Sequence, residues 1–139
     1  MMSATVGAAS VDDIHDNFTP GPVEDPHAQA WERTYATFVH LTLVALHVVP
    51  LPGVGALIMW SIKRRESPFI DDHGKEAINF QLSLLLYFLL SLALVPACGI
   101  GGFMIAGVYV LGIVGVIMAA IAANNGRFFR YPMCIRFVR

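Results

Sequence analysis

Two long apolar runs constrain what this chain can fold into. Residues from about Ala77 to Val95 are almost continuously apolar. After a charge-free turn marked by Pro96, Gly99, Gly101 and Gly102, a second run extends from about Phe103 to Ala123. A helix crossing the hydrocarbon core of a bilayer takes about 20 apolar residues, and both runs have about that length. An earlier apolar region, Tyr35 to Ile62, is longer still but is interrupted by Pro50-Leu51-Pro52-Gly53. Proline removes a backbone donor and clashes with the preceding turn, so this cluster should break the helix near mid-membrane. The expectation is an all-α integral membrane protein with about three transmembrane helices, spanning about 35–62, 77–95 and 103–123, the first broken at Pro50–Gly53. A re-entrant hairpin is the alternative for the first region, provided neighbouring groups satisfy the freed backbone.

Composition supports that class. Of the 139 residues, 56% are hydrophobic and 14% charged, too apolar for a soluble domain of this size. Nine basic against ten acidic residues argue against a nucleic-acid partner, because phosphate binding needs a basic surface. Cys98 and Cys134 have no CxxC context and form no spaced framework, so both are expected as free thiols. Residues 1–29 carry Asp12, Asp13, Asp16, Glu24 and Asp25 among Pro20, Pro22 and Pro26, and read as a disordered acidic tail. They lack the basic start and apolar core of a secretory signal. Asp25-Pro26 is a candidate cap for a lead-in helix.

Helix ends are also marked. Within a polar connection from Lys63 to Lys75, Ser67-Pro68 has the N-cap and N1 pairing that starts a helical turn. Asn124-Asn125-Gly126 can close a helix, because both residue types tolerate the left-handed conformation. Residues 127–139, with Arg127-Phe128-Phe129-Arg130-Tyr131-Pro132, suit a basic, aromatic anchor in the headgroup layer. Lys63, Arg64, Arg65 and Lys75 occupy one connection, and Arg127, Arg130, Arg136 and Arg139 the C-terminal tail. Since cytoplasmic loops retain such residues, three spans predict a cytoplasmic C-terminus and an N-terminus outside, in the bacterial inner membrane. A re-entrant first region would move the N-terminus inside.

Three constellations are candidates for function. At 100° per residue, Glu76, Asn79, Ser83, Tyr87 and Ser91 fall on one face of the second span, and His73 extends the stripe. Polar groups facing lipid tails without partners are costly, so the stripe should face the protein interior or a partner; it serves either helix packing or a hydrophilic path. Gly112, Gly115, Ala119 and Ala123 share a face of the third span and allow close helix approach. His40 and His47 are seven residues apart, about 10.5 Å along a helix, too far for one ion. Each remains a ligand candidate only with help from another subunit. Asp71, Asp72, His73 and Glu76 crowd the start of the second span, where carboxylates complement the positive helix end. No catalytic, metal or cofactor-binding residue is assigned.

Several stretches together resemble the domain-of-unknown-function 4870 family, grouped with the chloroplast import component Tic-twenty. They are Trp31 with His40-Leu41, Pro50 to Trp60 followed by Lys63-Arg64, Ser67-Pro68-Phe69, His73 through Gln81, and Gly126 through Arg130-Tyr131-Pro132 to Arg136-Phe137. The resemblance covers about residues 31 to 138 and implies a multi-span helical membrane domain with no established catalytic residues. It also makes a translocation-related role conceivable. The expected function is that of a non-enzymatic accessory or scaffold subunit in a lipid bilayer, binding other membrane subunits or itself. The alternative is an oligomeric channel or transporter.

Overall fold

The computed structural model describes residues 23–44, 53–96 and 99–139. They form four helices: α1 (Ala30–Leu41), α2 (Val54–Lys63), α3 (Pro68–Ala93) and α4 (Ile100–Asn124). Among the described residues there is no strand, only an isolated bridge between Glu24 and Arg127.

Local chemistry sets the helix limits. The Gln29 and Glu32 pair caps α1, with the Gln29 backbone N–H donating to Glu32 Oε2 at 2.6 Å. Asp25-Pro26 plays no such part; Asp25 Oδ1 instead accepts from the His27 N–H at 2.9 Å, a local turn before the helix. Helix α3 begins at the Ser67-Pro68 pair, earlier than the span expected from about Ala77, and takes in the polar stretch through Lys75; Ser67 accepts from Ile70 N–H at 3.4 Å and Pro68 lies in the first turn. At the end of α4, Gly126 takes φ +71°. The Gly126 N–H then reaches Ala123 O at 3.0 Å and the Arg127 N–H reaches Ala122 O at 2.9 Å. This double closure needs a left-handed residue, and glycine adopts it without steric cost.

The two long helices run antiparallel. Phe80 and Leu84 of α3 pack on Val116 and Ala119 of α4, and Phe69 near the start of α3 packs beside Ala123 near the end of α4. Gly112, Gly115, Ala119 and Ala123 all lie buried along this contact. A Cβ on Gly115 would sit 2.6 Å from Phe80 Cζ, so the ring fits only because that position is glycine. The opposite face of α4 exposes Val110, Ile113, Ile117 and Ile121. Helices α3 and α4 are long and apolar enough to cross a membrane.

The region expected as one broken span is arranged differently. Helices α1 and α2 lie side by side in opposite directions: Tyr35 O–H donates to Met59 O at 2.7 Å, while Gly55 lies against Thr42. Gln81 of α3 holds the inner end of this hairpin, accepting from Gly53 N–H at 2.7 Å and donating to Thr42 Oγ1 at 3.0 Å. At the outer end Trp60 lies over Gly74 and donates to Asp71 Oδ1 at 2.8 Å. With 12 and 10 residues, α1 and α2 are about 18 and 15 Å long, each roughly half a bilayer. A continuous span would carry α2 away from α3 and leave Gln81, Gly53 and Thr42 without these bonds. Pro50, Leu51, Pro52 and His47 lie outside the described residues, as does the acidic stretch 1–22.

Candidate functional site

Beyond Gly126 the chain stays against the helices. Phe128 N–H donates to Val23 O and Asp25 N–H to Gly126 O, both at 2.9 Å, and Arg127 pairs with Glu24 at 2.7 Å. The described N-terminal residues thus lie at the C-terminal end of α4. Arg130 then forms two parallel bonds to the Asp72 carboxylate, each 2.6 Å. This planar, bidentate match suits arginine and holds its proton more firmly than usual.

From there the tail dips along α3 and returns. The Tyr131 ring stacks on Phe80 at 3.8 Å. Met133 turns the chain with φ +55°, and its carbonyl accepts from Tyr87 O–H at 2.7 Å. On the way back Ile135 N–H donates to Ser83 Oγ at 2.9 Å. Asn79 Oδ1 accepts from Phe137 N–H at 2.9 Å and Val138 N–H at 2.7 Å, and Asn79 Nδ2 donates to Val138 O at 2.8 Å. Arg136 closes the hairpin on Glu76 Oε1 at 3.0 Å, with Arg130 3.6 Å from the same atom.

The polar stripe of α3 therefore faces the chain's own tail. Asn79, Ser83 and Tyr87 bind its backbone and Glu76 binds its cation. Ser91 bonds within α3, to Tyr87 O at 2.6 Å. Asp71, Asp72 and Glu76 all have cationic partners: Lys75 for the first and tail arginines for the other two.

His73 turns the other way, toward α1. His40 Nε2 and His73 Nδ1 are 2.7 Å apart, and His40 Nδ1 is 2.9 Å from Tyr131 O. One proton serves each contact, so the chain Tyr131–His40–His73 has a single donor direction at a time. Both histidines are buried, and Phe69 and Phe128 flank the His73 ring. Among the described residues, His73 Nε2 and Glu76 Oε2 have no hydrogen-bond partner.

This arrangement does not build a metal centre from His40 and His73. Two nitrogens on one zinc ion, each at about 2.0–2.1 Å, stand roughly 3.3 Å apart and both point at the metal. Here they point at each other across a hydrogen bond. Among the described residues no group of three or more His, Cys, Asp or Glu side chains is placed so that it could hold a metal ion. His47, the second ligand candidate, lies outside the described residues, as does Cys98; Cys134 is a free thiol.

Sequence reasoning grouped the stripe residues but missed their partners. It named Gln81 only as part of a resemblance motif, without a structural role, and gave Tyr131, Arg130 and Arg136 only an anchoring role. The available signal was the uncharged run Tyr131–Ile135, bracketed by Arg130 and Arg136 and turned by Pro132.

Compared with known families, residues 31–138 match the MamF/MmsF model, described as the magnetosome magnetite crystal formation protein family. No curated protein and no solved structure matches the chain. The match corrects the expected resemblance to the domain-of-unknown-function 4870 and Tic-twenty-like proteins, which spans the same stretch. The motifs behind that resemblance build the fold: Ser67-Pro68 starts α3, Gln81 ties the helical hairpin and Asn79 ties the tail. Such motifs report architecture and leave the family undetermined.

Proposed function

We propose, from the premise that this chain belongs to the MamF/MmsF magnetosome magnetite crystal formation protein family, that it is a non-enzymatic membrane-embedded accessory protein. In this reading it resides in the membrane around a forming magnetite crystal. The observation that carries the reading is the family match over residues 31–138, which contains both long apolar helices and the lipid-compatible outer face of α4.

Helices α3 and α4 are read as the two crossings, and α1 with α2 as a hairpin dipping from one side. Both basic clusters, Lys63 to Arg65 and the C-terminal arginines, then share a face that the positive-inside rule makes cytoplasmic. Because Glu24 pairs with Arg127, residues 23–29 belong on that same face. This reading replaces the three-span arrangement with an outside N-terminus. Lys63 lies 5.5 Å from the Trp31 ring centroid and Arg64 lies 4.7 Å from that of Trp60, cation and aromatic pairs suited to the headgroup layer.

Occupation of the stripe by the tail supports a scaffold over a pore. A hydrophilic path along Asn79, Ser83 and Tyr87 would require the tail to leave. Engagement of each α3 carboxylate with a cation likewise supports a structural role over acid–base catalysis.

The test is complementation. In a magnetite-forming cell lacking this protein, wild-type chain should restore crystal size and number in electron micrographs, and the chain should stay in the pellet after alkaline carbonate extraction. Unaltered crystals in its absence, or release by carbonate, would overturn the reading.

A further inference from the structure

The C-terminal hairpin has a composition and a placement that the headgroup-anchor expectation does not explain. Its uncharged part, Tyr131 to Ile135, lies between Arg130 and Arg136, and both arginines are tied to carboxylates near the start of α3. Its tip is held much farther along. Tyr87, which binds Met133 O, is eleven residues beyond Glu76. At 1.5 Å per residue that is about 16 Å, roughly half the hydrocarbon thickness.

Between and just beyond the two half-exposed arginines, large apolar side chains are exposed. Met133 is 71% exposed, Phe137 53% and Ile135 40%, and no helix among the described residues covers them. Backbone groups on the same segment are met from α3: Met133 O by Tyr87, Ile135 N–H by Ser83, and Phe137 and Val138 by Asn79. Irregular backbone at membrane depth persists only where protein groups satisfy it, and these bonds from α3 supply part of that satisfaction. In water the same arrangement would leave three large apolar side chains solvated for no gain.

We infer that residues 131–135 form a re-entrant membrane segment, with the Pro132-Met133 tip among lipid acyl chains and Asn79, Ser83 and Tyr87 as its anchors. The inference rests on the membrane reading of α3 and α4. It gives the polar stripe a definite task, which is to carry a non-helical loop into the bilayer.

Cysteine labelling in sealed native vesicles separates the two ideas. In a full-length Cys98→Ala, Cys134→Ala background, single cysteines are placed by Met133→Cys, by Arg139→Cys and by Ile113→Cys, the last on the exposed face of α4. A membrane-impermeant maleimide should label Arg139→Cys readily, and Met133→Cys and Ile113→Cys at least about tenfold more slowly, because lipid excludes the probe. The described residues leave the Met133 side chain 71% exposed, so the inference assigns its shielding to lipid. Labelling of Met133→Cys at the rate of Arg139→Cys, with Ile113→Cys still shielded, would overturn the re-entrant segment alone. Rapid labelling of Ile113→Cys would instead overturn the membrane reading. Adding Asn79→Leu should raise the Met133→Cys rate toward that of Arg139→Cys, and an unchanged rate would overturn the anchoring role. Pro132→Cys provides a second tip position.

Discussion

His40 Nε2 lies 2.7 Å from His73 Nδ1, although the residues are 33 positions apart, and this contact joins α1 to α3 inside the bundle. Tyr131 extends it to the tail through His40 Nδ1. Three separate segments thus meet in one buried hydrogen-bonded chain.

Replacing its middle member should loosen all three. His40→Leu leaves the Tyr131 hydroxyl and His73 Nδ1 buried without partners, each costing about 1–3 kcal/mol. Thermal unfolding in mild detergent should show a lowered midpoint, whereas Tyr131→Phe, which keeps the ring on Phe80, should lower it less. Equal effects would contradict a central role for His40.

The tail depends on Asn79 more than on any other single side chain, since three of its backbone groups bond there. With each bond contributing about 0.5–1.5 kcal/mol net, Asn79→Leu should weaken docking by roughly 2–4 kcal/mol. Limited carboxypeptidase digestion in detergent should shorten the variant faster than wild type. Resistance equal to wild type would show that the tail is held elsewhere.

Close packing of α3 on α4 makes Gly115 sensitive. Gly115→Ala drives a methyl to 2.6 Å from Phe80 Cζ and should destabilise the bundle by about 1–3 kcal/mol. At Gly107 nothing lies within 4 Å of an added Cβ, so Gly107→Ala should be neutral or gain up to about 1 kcal/mol from helix propensity. Detergent unfolding curves for the two variants should move apart, and a common shift would argue against the antiparallel contact.

At the outer end, Arg130→Lys keeps the charge but loses the bidentate fit to Asp72. This pair is partly exposed, so the cost should stay near or below about 1 kcal/mol. High salt should reduce the difference between wild type and variant, while a salt-independent difference would point to packing of the guanidinium as the larger effect.

What could be read without coordinates followed from local rules and periodicity. Ser67-Pro68 and Asn124-Asn125-Gly126 mark helix ends because capping involves residues only a few positions apart. Charge-free runs mark α3 and α4 because burial in lipid or protein needs length and apolarity alone. The polar stripe was legible as a face for the same periodic reason. Its occupant was decided by tertiary structure, since Asn79 meets Val138 across 59 positions and Gln81 meets Gly53 across 28. Hydropathy likewise could not separate one broken span from a hairpin, because Pro50-Leu51-Pro52-Gly53 interrupts both equally. Contacts such as the bonds from Gln81 to Gly53 and Thr42 and from Tyr35 to Met59 give the direction of the chain, and long-range hydrogen bonds leave no period in the sequence.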